Sequence, residues 1–332
     1  MKNGKISESV LKRSVLKQLH SKNPAVLQAG GPGVDAAVLG MDTSEKEDRL
    51  VTATATETLY SQNMAERCVL RAFHHIAACG ARPAAAEVSL LVPAAWNEAQ
   101  LRELMRDVDR ACESAGAQVC GGHTAASRAV KTAVLTVTAL GFADEESYIP
   151  SGRIRPGMEL ILAGYIAMEG TALLASEKRE ELSTRFAGPF LEKAASYGSF
   201  RQVLPAAKIA GMAQAAAMHA LSEGGIFGAL WEMAEASGIG MEVDLKKIPI
   251  RQETVEICEF FDLNPYKLLS GGALLIAAED GAQVIRELTA AGIPAAIIGL
   301  ATDSNDRVLL QQEERRFLES AQADEIYKVF EI

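Results

Sequence analysis

The chain has 332 residues, of which 48% are hydrophobic and 23% charged, and a formal net charge of −10 at neutral pH. At about 100–200 residues per domain this length suggests two domains, and the composition excludes whole-chain disorder, collagen and disulfide scaffolds. The acidic balance opposes broad binding to nucleic acid or anionic membranes, because neutralising phosphates takes clustered Lys and Arg.

No apolar run approaches the roughly 18 residues of a membrane span. The opening MKNGKISESVLKRSVLKQLH lacks the apolar core of a signal peptide. A cytoplasmic protein is expected. The five cysteines (Cys68, Cys79, Cys112, Cys120 and Cys258) contain no CxxC pair. They read as small buried side chains in a reducing compartment.

Along the chain, Ile6, Val10, Leu11, Val15, Leu16 and Leu19 carry helical spacing. A glycine-rich turn, AGGPGVD (29–35), leads into an apolar strand over 36–40. Residues 50–56 alternate and read as a strand. Residues 64–79 read as a helix closed by Gly80. A strand over 86–92 and an amphipathic helix over 97–115 follow. Residues 118–120 read as a short extended piece that exits tightly through Gly121 and Gly122. Residues 131–140 place Ala133, Leu135, Val137 and Ala139 on one face, as a half-buried strand does.

The acidic, turn-rich stretch ADEESYIPSGRIRP (143–156) marks a domain boundary, giving domains at 1–150 and 151–332. In the second half, 159–163 reads as a strand and the following residues to about 195 as helical. The alanine-rich run 203–221 reads as one helix, 225–237 as another, 241–243 as extended and 253–261 as helical. Residues 271–279 read as an apolar strand, 284–291 as a helix, and 295–300 and 308–310 as strands. This alternation is that of α/β or α+β layers, a sheet covered by helices.

Ten segments, in order, resemble the AIR synthase (PurM) superfamily. They are GKIS (4–7), GPGVDAAVL (31–39), LVTAT (50–54), HHIAACGARP (74–83), GGHT (121–124), RPGMELILAG (155–164), ALSEGGIFGALWEMAEASGIGMEVD (220–244), IPI (248–250), LLSGGALLIAAE (268–279) and IIGLATD (297–303). The GKIS start and the SGIGMEVD-to-IPI stretch resemble most the branch of the hydrogenase maturation factor HypE. The resemblance implies a two-domain fold whose N-terminal sheet pairs with its twin into a barrel across a homodimer, with ATP and Mg²⁺ between the domains. It also implies a maturation-protein partner and chemistry that moves the γ-phosphate.

Mg²⁺ is a hard ion that wants carboxylate oxygens, and glycine-loop amides suit phosphates. The family supplies carboxylates from several motifs, and most are replaced here. Asp-Asp-Ala-Ala stands as Val34-Asp35-Ala36-Ala37, leaving Asp35. The strand Thr-Thr-Asp stands with Ala55, and Glu57, two residues on along the same strand face, is a partial substitute. Asn-Asp-(Leu/Ile)-Ala stands as His74-His75-Ile76-Ala77. Gly-Gly-Asp-Thr stands as Gly121-Gly122-His123-Thr124. Asp-Pro-Thr-Arg-Gly-Gly stands as Ala220-Leu221-Ser222-Glu223-Gly224-Gly225. The maturation branch also reacts through a C-terminal cysteine, and the last cysteine here is Cys258.

The resemblance therefore assigns Gly31, Gly33, Asp35, Gly121, Gly122 and Thr124 to a nucleotide-type site, with no catalytic residue assigned. Asp35, Glu57, His75 and His123 are the candidate metal ligands. Three readings of the histidines stand together: a site for Zn²⁺, Ni²⁺ or Fe²⁺, an anion site of protonated imidazoles, and neutral rings filling space. The functional readings are an ATP-dependent maturation-type or phosphoryl-transfer protein with a weakened metal site, an inactive binding scaffold, and a transition-metal-binding protein. Gly224-Gly225 before a helix reads as close packing, since Glu223 opposes an anion there.

Overall fold

The computed structural model describes Glu8 and residues 26–28, 31–40, 49–198, 203–312, 314–320 and 323–330. The helix expected over 6–20 lies outside the described residues, apart from Glu8. The described chain forms two compact units. Val26–Gln28 and Asp35–Tyr148 belong to one, and Glu8, Gly31–Val34 and the residues from Ile149 onward to the other.

The first unit is a six-stranded sheet with two helices. Its strands are β1 (Val26–Gln28), β2 (Ala37–Gly40), β3 (Arg49–Glu57), β4 (Arg82–Pro93), β5 (Gln118–Ser127) and β6 (Val134–Ala143), in the order β1-β2-β3-β6-β4-β5. Only the β4–β5 pairing in β3-β6-β4-β5 is parallel. Its crossover is the helix α2 (Glu98–Ser114), as a parallel connection requires. The helix α1 (Met64–Ala78) follows β3.

Alternation decides the faces. Ala53, Ala55 and Glu57 of β3, Val88 and Leu90 of β4, and Leu135, Val137 and Ala139 of β6 are buried, as are Phe73, Leu70 and Ile76 of α1. The opposite face is polar. Thr54 and Thr138 are paired across the strands with hydroxyls 2.9 Å apart, and Thr56 and Thr136 with hydroxyls 3.0 Å apart. Such cross-strand pairs contribute roughly 0.2–1 kcal/mol each.

Helix boundaries follow local chemistry. At α2, Gln100 N–H donates to Asn97 Oδ1 at 3.0 Å and Asn97 N–H to Gln100 Oε1 at 3.1 Å, a reciprocal capping box. At the end of α1, Gly80 takes φ +79° while Ala81 N–H closes on Ile76 O at 3.1 Å. A left-handed residue there costs glycine nothing.

The second unit is a seven-stranded sheet of β7 (Glu159–Ala163), β8 (Ala217–Ala220), β9 (Gly240–Asp244), β10 (Leu274–Ala278), β11 (Ala295–Thr302), β12 (Arg307–Gln311) and β13 (Glu314–Phe317), in the order β13-β12-β9-β11-β7-β10-β8. Its helices are α3 (Met168–Glu177), α4 (Arg179–Leu182), α5 (Gly188–Ala195), α6 (Val203–Met212), α7 (Gly225–Ser237), α8 (Gln252–Phe260) and α9 (Gly281–Ala290). Leu160, Leu162, Met241, Val243 and Leu275 of the sheet pack with Ile226, Leu230 and Met233 of α7 in one core.

Three expectations need correction. The run 203–221 is not one helix. Gln214 turns left-handed at φ +64° and Ala215 N–H closes on Ala210 O, ending α6 before β8 begins. Gly121 and Gly122 do not end a strand, because β5 runs through them to Ser127. Cys120 is exposed, whereas Cys68, Cys79, Cys112 and Cys258 are buried.

Candidate functional site

In the first unit three basic side chains gather on α1. Arg67, Arg71 and His75 stand at i, i+4 and i+8, so one helix face carries all three. Arg67 and Arg71 both reach Glu57 Oε2 at the end of β3, at 3.1 and 3.3 Å. Glu57 Oε1 accepts from Thr58 N–H at 3.0 Å and Leu59 N–H at 2.9 Å. Arg67 also donates to Leu59 O at 2.9 Å and to Ser61 Oγ at 2.5 Å, clamping the turn between β3 and α1. Burial by itself raises the Glu57 carboxyl, but the two guanidiniums and the Leu59 amide overcome it and hold the group below its ordinary value. Glu57 is thus an ionised carboxylate already saturated by cations and amides.

One turn further along, His75 Nδ1 lies 2.9 Å from Asp35 Oδ1. The Asp35 side chain is 1% exposed and the His75 side chain 17%. A buried carboxylate that accepts from Nδ1–H holds the ring in place, and in a neutral ring the lone pair then lies on Nε2. Asp35 is therefore a partner of His75 in this structure. The neighbouring His74 faces the interior and is buried.

His123 and Thr124 lie on β5, opposite Ser89 and Leu90, and both are exposed. Gly122 has φ +145°, and a Cβ there would meet Val88 O at 1.9 Å, so the strand passes its neighbour too closely for any side chain. Gly121 is exposed, with Glu87 Oε1 3.9 Å from its would-be Cβ. Among the described residues no group of three or more His, Cys, Asp and Glu side chains is assembled to hold a metal ion. Asp35, Glu57, His75 and His123 thus do not form one cluster in the chain. Hard Mg²⁺ does not fit this donor set, because both buried carboxylates are committed to protein cations or an imidazole.

The glycine turn has two characters. Gly33, at φ +73°, packs so closely that a Cβ would meet Glu232 O of α7 at 1.9 Å, whereas Gly31 has open space around its Cβ position. Val34 N–H closes the turn on Gly31 O at 3.1 Å.

In the second unit, loops following β7 and β8 and preceding β10 meet at one end of the sheet. Glu169 Oε2 accepts from Gly271 N–H at 3.0 Å, Ser270 Oγ accepts from Ala167 N–H at 2.8 Å, and Ser270 N–H donates to Ser222 O at 3.2 Å. Gly225, at φ +61°, would put a Cβ 2.5 Å from Tyr266 O, so this glycine serves close packing. Gly224 N–H donates to Asp324 Oδ2 at 2.7 Å.

Sequence reasoning missed Arg67, Arg71 and Asp324. The i, i+4, i+8 spacing of Arg67, Arg71 and His75 was a legible signal for the first two. Asp324 had none that pointed beyond its own turn, because two of its three partners lie about a hundred and about fifty-five positions away.

Comparison with known proteins adds the lineage. The N-terminal domain model of AIR synthase related proteins matches residues 33–143, and the C-terminal domain model matches 155–311. The chain belongs to the AIR synthase-related (PurM) superfamily. It is 25% identical over 318 residues to a putative hydrogenase expression/formation protein of Methanocaldococcus jannaschii, covering 93% of this chain and 91% of that one. It is 27% identical over 250 residues to the carbamoyl dehydratase HypE of Rhizobium leguminosarum bv. viciae, covering 73% and 69%. Among solved structures, E. coli HypE superposes with a TM-score of 0.74 at 18% identity, covering 93% of this chain and 96% of that one. A chain of a HypE–HypF complex gives 0.73 at 16%, covering 94% and 99%. HypE in complex with ATP gives 0.67 at 17%, covering 98% and 97%. The fold is thus the PurM-like α/β fold with two sheets, and the relatives it matches include hydrogenase maturation proteins. Among the described residues, no helix is long and apolar enough to cross a membrane.

Proposed function

We propose that this chain is a nucleotide-binding protein of the hydrogenase-maturation type whose site has abandoned carboxylate-held Mg²⁺. The observation that carries the reading is the Asp35–His75 bond at 2.9 Å. The carboxylate left in the first motif is engaged by an imidazole standing where the family has an acid. With Glu57 held by two guanidiniums, the chain offers protein cations where relatives offer metal ligands. Nucleotide binding is supported by the full-length likeness to a solved HypE that holds ATP.

In this reading Gly121, Gly122 and Thr124 of the first unit serve the phosphate side, being exposed and unencumbered by large side chains; Gly31, half-exposed, is a phosphate-loop candidate of the second unit. Gly33 keeps the turn against α7. Phosphoryl-transfer chemistry is slow at best, since charge neutralisation and in-line alignment of a triphosphate rest mainly on divalent metal. Burial lifts the Cys258 thiol to about 12, too high to supply a thiolate. The chain works as a homodimer with a maturation-protein partner. β5, an edge strand with an almost wholly exposed side-chain row, supports the first, and the HypE–HypF likeness supports the second.

Restoring the acids tests the reading. His75→Asp combined with His123→Asp is expected to raise affinity for Mg-ATP by about tenfold or more, roughly 1.4 kcal/mol. Unchanged Mg-ATP affinity in a folded double variant would contradict a remodelled ancestral site.

A further inference from the structure

In the second unit, the loop after β7 is joined to the segment entering α8, where Ile166 N–H donates to Pro249 O at 3.1 Å. The residues beside that bond meet through their side chains. The Arg251 guanidinium carbon stands 3.9 Å from the centroid of the Tyr165 ring. At that distance the guanidinium lies face to face with the ring, because tipping it on edge would press a nitrogen into the ring. Tyr165 is half-exposed and Arg251 exposed. The loop that carries Tyr165 is held firmly. Ala167 takes a left-handed φ of +57°, which an alanine adopts only where its surroundings impose it. Ala167 N–H donates to Ser270 Oγ at 2.8 Å, and Ala167 O accepts from Thr171 N–H at 2.9 Å and from Thr171 Oγ at 2.7 Å.

Three other cations that lie over rings also hold an acid. Arg307, 4.0 Å from the Trp231 centroid, pairs with Glu235 at 2.8 Å. Arg185, over Phe186, pairs with Glu259 at 3.3 Å, and Lys178, over Phe330, with Glu181 at 3.2 Å. Arg251 differs. Among the described residues it has neither a carboxylate partner nor a hydrogen bond, and the Tyr165 hydroxyl has no hydrogen bond either. The acid nearest to it in sequence, Glu253 on the first turn of α8, is buried and already filled. Lys193 Nζ pairs with its Oε1 at 2.5 Å, and Tyr197 Oη donates to its Oε2 at 2.5 Å. Burial by itself raises the Glu253 carboxyl, but Lys193 and Tyr197 hold it down at about 2. Glu256, further along α8, accepts from Gln252 Nε2 at 2.8 Å, and one turn on from Arg251 stands Val255. Arg251 and Lys193 against Glu253 therefore leave one uncompensated positive charge, in a chain whose net charge is −10.

A guanidinium stacked on a ring spends its face on the ring and keeps its N–H donors in plane, pointing away from it. That planar fork matches the paired oxygens of a carboxylate or a phosphate. We propose that Arg251, seated on Tyr165, is an anion-binding point of the second unit that takes the carboxylate or phosphate group of a ligand. The site lies wholly within the second unit, goes beyond the nucleotide reading and stands without it. Tyr165 restricts the guanidinium to one plane, so less side-chain freedom is lost when an anion binds. Lys193 and Tyr197 keep Glu253 from capturing the fork. The Tyr165 hydroxyl supplies a further donor at the edge of the platform.

Nitrogen-15 NMR of the arginine Nε–H groups in the full chain tests this, with inorganic phosphate and then acetate titrated in at an ionic strength held constant with chloride. The Arg251 resonance is assigned by its loss in Arg251→Gln. It is expected to shift saturably with at least one of the two anions, and the anion with the lower half-saturation names the preferred group. Because the readout sits at Arg251, phosphate held by the glycines of the first unit does not register in it. Arg251→Lys keeps the charge and loses the fork. Followed at the Tyr165 ring, its half-saturation should rise by about tenfold, the loss of one charge-assisted hydrogen bond. Tyr165→Leu removes the platform and should raise the half-saturation read at Arg251. Amides in the β10 core serve as the internal standard for folding. A shift at Arg251 that never saturates with either anion, or that only matches the drift of the other exposed arginines, would overturn the proposal. So would an Arg251→Lys variant whose half-saturation equals that of the wild type.

Discussion

His75 Nδ1 stands 2.9 Å from Oδ1 of Asp35, a side chain that is almost wholly buried. In a neutral ring this contact selects the tautomer with the proton on Nδ1 and the lone pair on Nε2. Nitrogen-15 NMR of the ring in the neutral form should report that tautomer. Asp35→Ala should shift the ring toward the Nε2–H form usual for free imidazole. A wild-type ring already in the Nε2–H form would contradict the bond.

Glu57 anchors two arginines, so removing it strands charge. Glu57→Gln leaves Arg67 and Arg71 sharing a neutral amide in a buried place, and breaking a buried pair from one side costs about 3–5 kcal/mol. Thermal or denaturant unfolding should show a loss of that order. The pH dependence has a defined sign. The folded carboxyl is depressed, so its stabilisation is present above the unfolded value near 4.5 and lost as pH falls below it. Glu57→Gln should flatten that acid limb. An acid limb identical to wild type would show that the pair carries no such linkage.

Two glycines in one turn should behave oppositely. Gly33→Ala forces a Cβ to 1.9 Å from Glu232 O at φ +73° and should cost about 1–3 kcal/mol. Gly31→Ala meets nothing within 4 Å and should stay within about 0.5 kcal/mol of wild type. Equal midpoints for the two variants in urea would contradict the close approach to α7.

Thiol reactivity separates Cys120 from the rest. Burial pushes Cys68 and Cys258 to about 12 and Cys112 to about 11. A thiol reagent at pH 8 should label Cys120 in the monomeric native protein at a rate far above those three. On the proposed homodimer reading, with β5 at the interface, labelling of Cys120 should slow as concentration rises. Rapid labelling of Cys68 or Cys258 would contradict the packing of the two cores.

Much of the fold was written in local pattern. The alternation in LVTATAT and the apolar face of 64–79 gave β3 and α1 almost to the residue. The misreadings have physical causes. β8 is buried on both faces, so AMHA shows no polar alternation and merges with the alanine-rich helix before it. β5 carries glycines inside a strand because its backbone passes close to β4, and paired glycines in sequence look like a turn. β13, with all four residues exposed, has no buried face to announce it. At the site, His75 and His123 stood out only through the family resemblance, which expects acids at those positions. That Asp35 answers His75, and that Glu57 answers Arg67 and Arg71, depended on long-range packing no single segment encodes.

The central claim is that a nucleotide site persists without its Mg²⁺ carboxylates. The most direct test is a calorimetric titration of ATP into the purified full chain, with Mg²⁺ and then with a chelator. The account predicts saturable binding whose affinity changes by less than about tenfold, roughly 1.4 kcal/mol, between the two conditions. Absence of binding in both would contradict it, and so would binding that appears only with Mg²⁺.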